Sequence, residues 1–313
     1  MANHALQLPN FSFPGVTPAT MFDSVVAMAE AADAGGWSDI WVMDHFWQLP
    51  PLGGPSQPIM EAYTLLGALA ARTSRVGLGT LVTGVTYRNP ALLAKIVTTL
   101  DVISKGRAWL GLGAAWYEEE HVGLGFDFGT MSSRFERFEE ALEICTAMFK
   151  GEAPTHAGKH YVTEGAINLP APVRPSGIPI LTGGGGERKT LRLTAKYANA
   201  WNVPAAPDEI AHKREVLAGH CADIGRDPSE ITVTVLTSLF LAATPEEQAM
   251  IDGMMAANPQ FAAASISGST DEIADKLGRY VDAGVQTVIA NVPFASTPEH
   301  IQAADAALAA ALA

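Results

Sequence analysis

IPILTGGGGERKTLRLTAKYANAWNV (178–203) is the stretch whose reading decides the fold. An apolar run, IPILTG (178–183), leads through further glycines into an amphipathic segment, ERKTLRLTAKYA (187–198). A second apolar run, NAWNV (199–203), follows at once. Short strands that are apolar throughout and joined by a helix belong to a parallel sheet covered on its faces. The same unit recurs on either side. Upstream, ALQLPNF opens the first strand, and Thr17-Pro18 is read as the start of a helix over 19–34 that stops at Gly35-Gly36. DIWVMD (39–44) is the second strand, with a helix at 60–72 after a Pro/Gly-rich loop. RVGLGTLVT (75–83) is the third, and Asn89-Pro90 caps a helix through Ser104. GRAWLGLG (106–113) is the fourth, followed by a long helix over 132–150. Downstream, ITVTVLTSLFLAA (231–243) and VQTVIANV (285–292) complete eight strands, with helices at about 208–225, 245–257, 270–283 and 298–312.

Eight such units predict a closed (β/α)₈ barrel, an α/β TIM barrel, rather than an open doubly wound sheet. No linker-like shift in composition divides the chain, so residues 1–313 are read as one domain. Residues 151–177 carry four prolines and no helical period, and are expected to form an insertion over the barrel mouth.

Composition narrows the function classes. The 313 residues are 48% hydrophobic and 17% charged, enough for a large core and too apolar for disorder. The formal net charge of −13 argues against nucleic acid as a partner, because a phosphate backbone needs clustered cations. Cys145 and Cys221 are the two cysteines and form no CxxC, so neither a disulfide framework nor a cysteine metal site is indicated. The first residues, MANHALQLPNFSFPG, lack the charged and apolar regions of a signal peptide, and no apolar run is long enough to span a bilayer. The expectation is a cytoplasmic enzyme or binding protein acting on a small molecule, without membrane or metal. Its apolar strands and Ala-rich helices suggest a homodimer, with helices 19–34 and 60–72 as candidate contacts.

In a barrel of this kind chemistry gathers where the strands end. Asp44, His45 and Trp47 follow the second strand; Thr80, Leu81 and Thr83 end the third; Ala114, Ala115, Trp116 and Tyr117 follow the fourth. Gly183, Gly184, Gly185 and Gly186 follow the fifth, Asn202 ends the sixth, and Asn291 and Pro293 end the eighth. Such a convergence of aromatic and polar groups suits a flat aromatic ligand. The glycine run leads into a helix whose first turn carries Arg188 and Lys189, the order of features that binds phosphate, although a flexible turn has the same composition. GLGAAW (111–116) has Trp116 where the last glycine of a dinucleotide fingerprint belongs, and is set aside. His45 offers an imidazole, the side chain most often used for proton transfer, but adjacent strand residues face opposite ways, so Asp44-His45 is no simple dyad. His156 and His160 read as a solvated loop, and Glu118-Glu119-Glu120 as a solvated helix start.

These segments resemble the luciferase-like monooxygenase superfamily, most closely its actinobacterial branch of coenzyme F420-dependent oxidoreductases. IWVMDHFWQLP (40–50), SRVGLGTLVTGVTYRNPALLAKIVTTLDVISKGR (74–107), LGLGAAWYEEEH (110–121), RFERFEEALEI (134–144), PILTGGGGERKTLRLTAKYANAWN (179–202) and DAGVQTVIANV (282–292) carry the likeness across nearly the whole chain. The resemblance implies hydride transfer between F420 and a small organic substrate. Its alternative is an FMN-dependent monooxygenase using oxygen, and a third reading is a non-catalytic flavin- or deazaflavin-binding barrel. It implies a catalytic proton-transfer role for His45 and cofactor contacts from Asp44, Thr80, Leu81, Thr83, Ala114, Ala115, Gly183 to Gly186 and Arg188. It also implies a non-prolyl cis peptide at Thr80-Leu81, and a substrate pocket of Trp47, Trp116 and Tyr117. One departure stands out: the sugar-phosphate dehydrogenases of this family place a catalytic glutamate where Trp116 stands here, which makes glucose 6-phosphate a poor substrate for this chain.

Overall fold

The computed structural model describes residues 2–242 and 244–312. The chain runs β1 (Asn3–Leu8), α1 (Met21–Ala34), β2 (Asp39–Val42), α2 (Ala62–Arg72), β3 (Gly77–Thr80), β4 (Thr83–Gly84), α3 (Pro90–Ser104) and β5 (Ala108–Gly113). It continues through α4 (Glu118–Leu124), α5 (Met131–Phe149), β6 (His156–Ala157), β7 (Val162–Thr163), β8 (Ile180–Gly183), α6 (Thr190–Tyr197), β9 (Ala200–Asn202) and α7 (Pro207–Asp223). The last part is β10 (Thr232–Phe240), α8 (Pro245–Ala257), α9 (Pro259–Ala264), β11 (Ser265–Ser267), α10 (Thr270–Asp282), β12 (Thr287–Asn291) and α11 (Pro298–Leu312). Eight parallel strands pair in the order β1-β2-β3-β5-β8-β9-β10-β12, and β12 returns to β1 with Asn3 opposite Thr287 and Gln7 opposite Asn291. The sheet is therefore closed, the (β/α)₈ barrel that the strand count predicts. Among the described residues no helix is long and apolar enough to cross a membrane.

Alternation along the strands creates two apolar compartments. In β2, Ile40 and Val42 face the layer between barrel and helices, while Trp41 joins Ala5, Leu181, Ala200 and Ile289 inside the barrel. Trp41 and Trp109 meet there with ring centroids 5.8 Å apart. Only a glycine fits between them, because a Cβ at Gly79 would lie 2.7 Å from Trp41 Cζ3 and 2.8 Å from Trp109 Cβ.

Helix starts follow local chemistry where a cap is present. Asn89 accepts the Ala91 N–H at 3.0 Å with Pro90 beside it, and α3 runs through Ser104 as read. Three starts fall two or more residues later than read, among them α2, which begins at Ala62 rather than 60 with Glu61 as its cap. Thr17 does not cap α1, which begins at Met21. The helix read from Glu187 begins at Thr190, because residues 187–189 form a turn after the glycines.

The insertion is placed differently from expectation. Residues 151–177 run beside α3 and α5 on the outside of the barrel, and none of them lines the mouth cavity. Their N–H groups explain why: those of Lys159, His160 and Tyr161 all donate to Glu140 on α5, and that of Val173 donates to Asp101 on α3 at 2.8 Å. His160 Nε2 lies 2.8 Å from Glu136, and His156 beside Glu140 and Glu143, so both histidines are tied to α5. Over the mouth stand α8 and α9 instead, contributing Met254 and Phe261.

Candidate active site

A cavity of about 910 Å³ opens at the C-terminal ends of the barrel strands. Gln7, Met43, Gly113, Gly183, Asn202, Ser238 and Asn291 surround it from seven strands or their immediate continuations. Its floor includes Leu81 and Val82, where the third strand bulges. Leu81 N–H still donates to Val42 O at 2.8 Å, so Leu81 remains on the β2 ladder. The strand already pairs with β5 at Leu78 and Gly79 and resumes that pairing at Thr83 one residue out of step, so the bulge falls between Gly79 and Thr83. The cis peptide within it is Leu81-Val82, one bond beyond the expected Thr80-Leu81. Gly111 and Gly113 of β5 make room for this bulge: a Cβ at Gly111 would fall on the Thr80 carbonyl oxygen, and one at Gly113 would lie 3.0 Å from Val82 Cγ2. The glycines that resembled half a dinucleotide fingerprint thus serve a backbone crossing.

His45 stands on the cavity wall with its Nδ1 3.0 Å from Glu120 Oε2. Glu120 belongs to α4 and is fully buried. Its Oε1 accepts the Phe46 and Trp47 N–H groups, the latter at 2.8 Å, and its Oε2 also accepts the Tyr87 hydroxyl. Burial pushes this carboxyl up, but the hydrogen bonds from His45, Tyr87 and the Trp47 N–H outweigh burial and hold it below the usual glutamate range. An ionised carboxylate at Nδ1 selects the tautomer with a proton there. Nε2 is left as the basic nitrogen for the cavity. Tyr87 is pushed above the usual phenol range by burial and by Glu120, so it stays a neutral donor.

Around this pair the rings interlock. Tyr87 stacks on His121 at 4.6 Å, Trp116 on Tyr117 at 5.2 Å, and His45 meets Trp116 edge-on at 5.7 Å. His121 is fixed by Thr86 Oγ1 at 2.6 Å and by the Tyr117 carbonyl at 2.7 Å.

Asp44 does not reach the cavity. Its side chain is fully buried and takes both guanidinium nitrogens of Arg88, which also bonds Glu61 at 2.6 Å and lies 4.7 Å from the Tyr63 ring centre. Thr80 and Thr83 sit in the same layer behind the wall, their hydroxyls 3.0 Å apart and Tyr63 Oη 2.7 Å from Thr83. This layer supports the loop that carries His45.

At the glycine loop, Gly184 N–H donates to Asn202 O at 3.0 Å, and its φ of +122° is one that side-chain-bearing residues rarely adopt. Gly185 and Gly186 N–H have no protein acceptor among the described residues. Lys213 on α7 holds the Gly185 carbonyl at 2.9 Å and pairs with Glu187 and Glu209. A Cβ at Gly183 would lie 2.9 Å from Val82 Cγ2, which ties the loop to the bulge.

Of the residues singled out from sequence, His45, Leu81, Ala114, Ala115, Trp116 and Gly183 to Gly186 line one cavity. Asp44, Thr80 and Thr83 stand behind it. Arg188 is exposed and outside the lining, because the delayed start of α6 turns it away; the cation under the loop is Lys213. Trp47 packs over Gly123 of α4, and Tyr117 is buried under Trp116, so neither lines the cavity. Glu120 overturns the reading of residues 118–120 as a solvated face. Tyr87 and Lys213 were not anticipated either.

The family model described as luciferase-like monooxygenase matches residues 5–250. An F420-dependent glucose-6-phosphate dehydrogenase of Microbacterium testaceum (strain StLB037) is 29% identical over 292 residues, covering 84% of this chain and 85% of that protein. The structure of the coenzyme F420 dependent tetrahydromethanopterin reductase of Methanopyrus kandleri matches with a TM-score of 0.73 at 19% identity, over 97% of both chains. A monooxygenase from Streptomyces bottropensis matches with a TM-score of 0.80 at 20% identity, over 99% of this chain and 100% of that one. At these identities the two structures speak for the fold alone.

Proposed function

The chain belongs to the luciferase-like monooxygenase family, and from that premise we propose that it is an oxidoreductase passing a hydride between coenzyme F420 and a small organic substrate. One observation carries the reading: a glycine loop with free N–H groups and a His45 oriented by Glu120 face the same cavity.

The residues present fit a tricyclic ring with a phosphate-bearing side chain. Gly185 and Gly186 offer N–H donors to an anion, and side chains at Gly183 and Gly186 would collide with Val82 and Thr190. Leu81 and Val82 offer an apolar shelf for a ring. Asn291 Oδ1 is buried without a hydrogen-bond partner among the described residues, an acceptor suited to the N–H of a pyrimidine edge. A deazaflavin held there supplies a carbon that gives or takes hydride and does not react readily with oxygen. The protein's own part is to orient both partners and to move one proton through His45 Nε2, with Glu120 fixing the ring and favouring the imidazolium that forms. The relation to an F420-dependent enzyme over most of the chain supports this cofactor.

The monooxygenase description of the family model favours a second reading, in which FMN occupies the same cradle and reacts with oxygen. Titrating the purified protein with F420 and with FMN, following cofactor fluorescence, separates the two. The proposal expects F420 to bind at least tenfold more tightly. Preference for FMN, with oxygen uptake when reduced flavin is supplied, overturns it. Binding of neither removes the cofactor from the account altogether.

A further inference from the structure

We propose that the substrate side of this cavity takes an uncharged, apolar alcohol or carbonyl compound of aryl or alicyclic bulk, and not a phosphorylated or carboxylated one. The chemistry of the step rests on the F420 reading above, while the ligand class rests on the cavity wall alone.

Among the described residues, no Lys, Arg, Asp or Glu lines the cavity. The cations near it are outside the lining, and Arg88 and Lys213 are already paired. Arg88 is held between Asp44 and Glu61 behind the wall. Lys213 lies beneath the glycine loop on Gly185 O, Glu187 and Glu209. Lys189 lies over the Phe135 ring, 5.2 Å from its centre, and neither it nor Arg188 is part of the lining. An anionic substrate buried here would lose its hydration without meeting a counter-charge, and that cost is prohibitive for an unpaired phosphate or carboxylate. The N–H groups of Gly185 and Gly186, which have no protein acceptor among the described residues, suit an anion, and on the F420 reading the cofactor's own phosphate would take them.

The polar side chains of the remaining wall, among them Asn10, Asn202, Ser238 and Asn291, are uncharged, and most of the rest is apolar. Leu52, Met131, Phe240, Met254, Phe261 and Phe294 belong to this apolar part, with Phe240 edge-on to both Phe261 at 5.7 Å and Phe294 at 5.4 Å. Trp116 adds an indole that is 60% exposed at the rim. The titratable groups of the lining, His45 and Tyr87, stand together on one side. This is a pocket for a hydrocarbon body with one oxygen function directed at His45. In the oxidative direction the carbinol C–H bond breaks and both its electrons leave as hydride to oxidised F420. The O–H proton passes to His45 Nε2 and the C=O double bond forms. The reductive direction is the reverse, with reduced F420 as the hydride source.

The test is direct binding to the purified protein, read by quenching of tryptophan fluorescence with Trp116→Phe as the control for signal origin. Acetophenone and 1-phenylethanol are the apolar probes; benzoylformate and glucose 6-phosphate are the anionic ones, each titrated with and without F420. The expected result is at least tenfold tighter binding of acetophenone than of either anion. In Phe261→Lys, which places a cation in the aromatic wall, the preference should narrow or invert in favour of benzoylformate; Met254→Lys serves if that variant does not fold. Equal or tighter binding of either anion by the unmodified protein overturns the proposal, as does failure of the apolar probes to bind under any condition. If acetophenone binds with the stated preference but F420 does not bind, the ligand class stands and the cofactor reading falls.

Discussion

The two sides of the barrel mouth are built on different principles. On the side of β2 and β5, Glu120 receives donors from His45, Phe46, Trp47 and Tyr87, and His121 is held through both ring nitrogens. The imidazoles of His45 and His121 and the Glu120 carboxylate there have their geometry set by hydrogen-bonded neighbours. On the side of β10 and β12, Phe240 meets Phe261 and Phe294 edge-on, with Met254 in the same lining. Hydrogen bonds fix direction, whereas dispersion between rings tolerates small shifts. The first side therefore suits a proton transfer that must be aimed, and the second suits a substrate whose shape varies. Both share one floor, so a substitution on either side reads out in the same cavity but in different kinetic constants.

The largest effect should come from the aimed side. With F420 and a turned-over alcohol or ketone, His45→Gln is expected to lower kcat by about 10²–10⁴-fold, the range for losing a general acid or base, with F420 affinity nearly unchanged. Glu120→Gln keeps the size but puts an amide donor among four donors. It should lower kcat by at least about tenfold and displace the pH–rate profile, with KM little altered. A rise in KM with kcat and the pH profile untouched would reduce Glu120 to a scaffold residue.

Next in size is the support behind the wall. Arg88→Met leaves Asp44 buried without its partner, and breaking a buried pair in this way costs about 3–5 kcal/mol. Urea unfolding should show this loss in global stability, and a drop below 1 kcal/mol would mean that water reaches Asp44. Glu120 adds a pH signature. Its carboxyl is held below the ordinary value of 4.5 in the folded state, so its charge contributes stability in full above that value. The contribution fades as pH falls through the lower folded value. The stability gap between the parent protein and Glu120→Gln should therefore be constant near neutrality and narrow in acid; a gap that widens in acid contradicts this assignment.

What could be read in advance follows the range of the interactions. Each barrel strand is a local apolar run, and the Asn89-Pro90 cap acts over three residues, so both are legible from sequence. The Glu120 carboxylate is not, because three acidic residues at a helix start look alike until a loop 75 residues upstream folds onto one of them. Arg188 failed for a local reason: three residues of turn after Gly186 delay α6 and rotate the cation outward. Lys213, the residue that does lie under the loop, comes from the next helix, and nothing in its neighbours marks it. The insertion carries a legible boundary but no legible address, since Glu140 and Asp101 capture its N–H groups over tens of residues.

The smallest expected effect tests the adaptable side. Phe261→Leu keeps the wall apolar and removes the edge-on contact with Phe240, a loss of about 0.5–1.5 kcal/mol beyond area burial. That converts to roughly a two- to tenfold weakening for a substrate that uses this wall, at 1.4 kcal/mol per decade. If the wall only shapes and holds the hydrocarbon body, the change should appear in KM with kcat preserved, because uniform binding of ground and transition states moves KM alone. It should also depend on the substrate, larger for an aryl ketone that reaches the Phe240 cluster than for a short aliphatic one. A fall in kcat comparable to that of Glu120→Gln would mean that the apolar side also aims the reacting carbon, and the division between the two halves of the mouth would not hold.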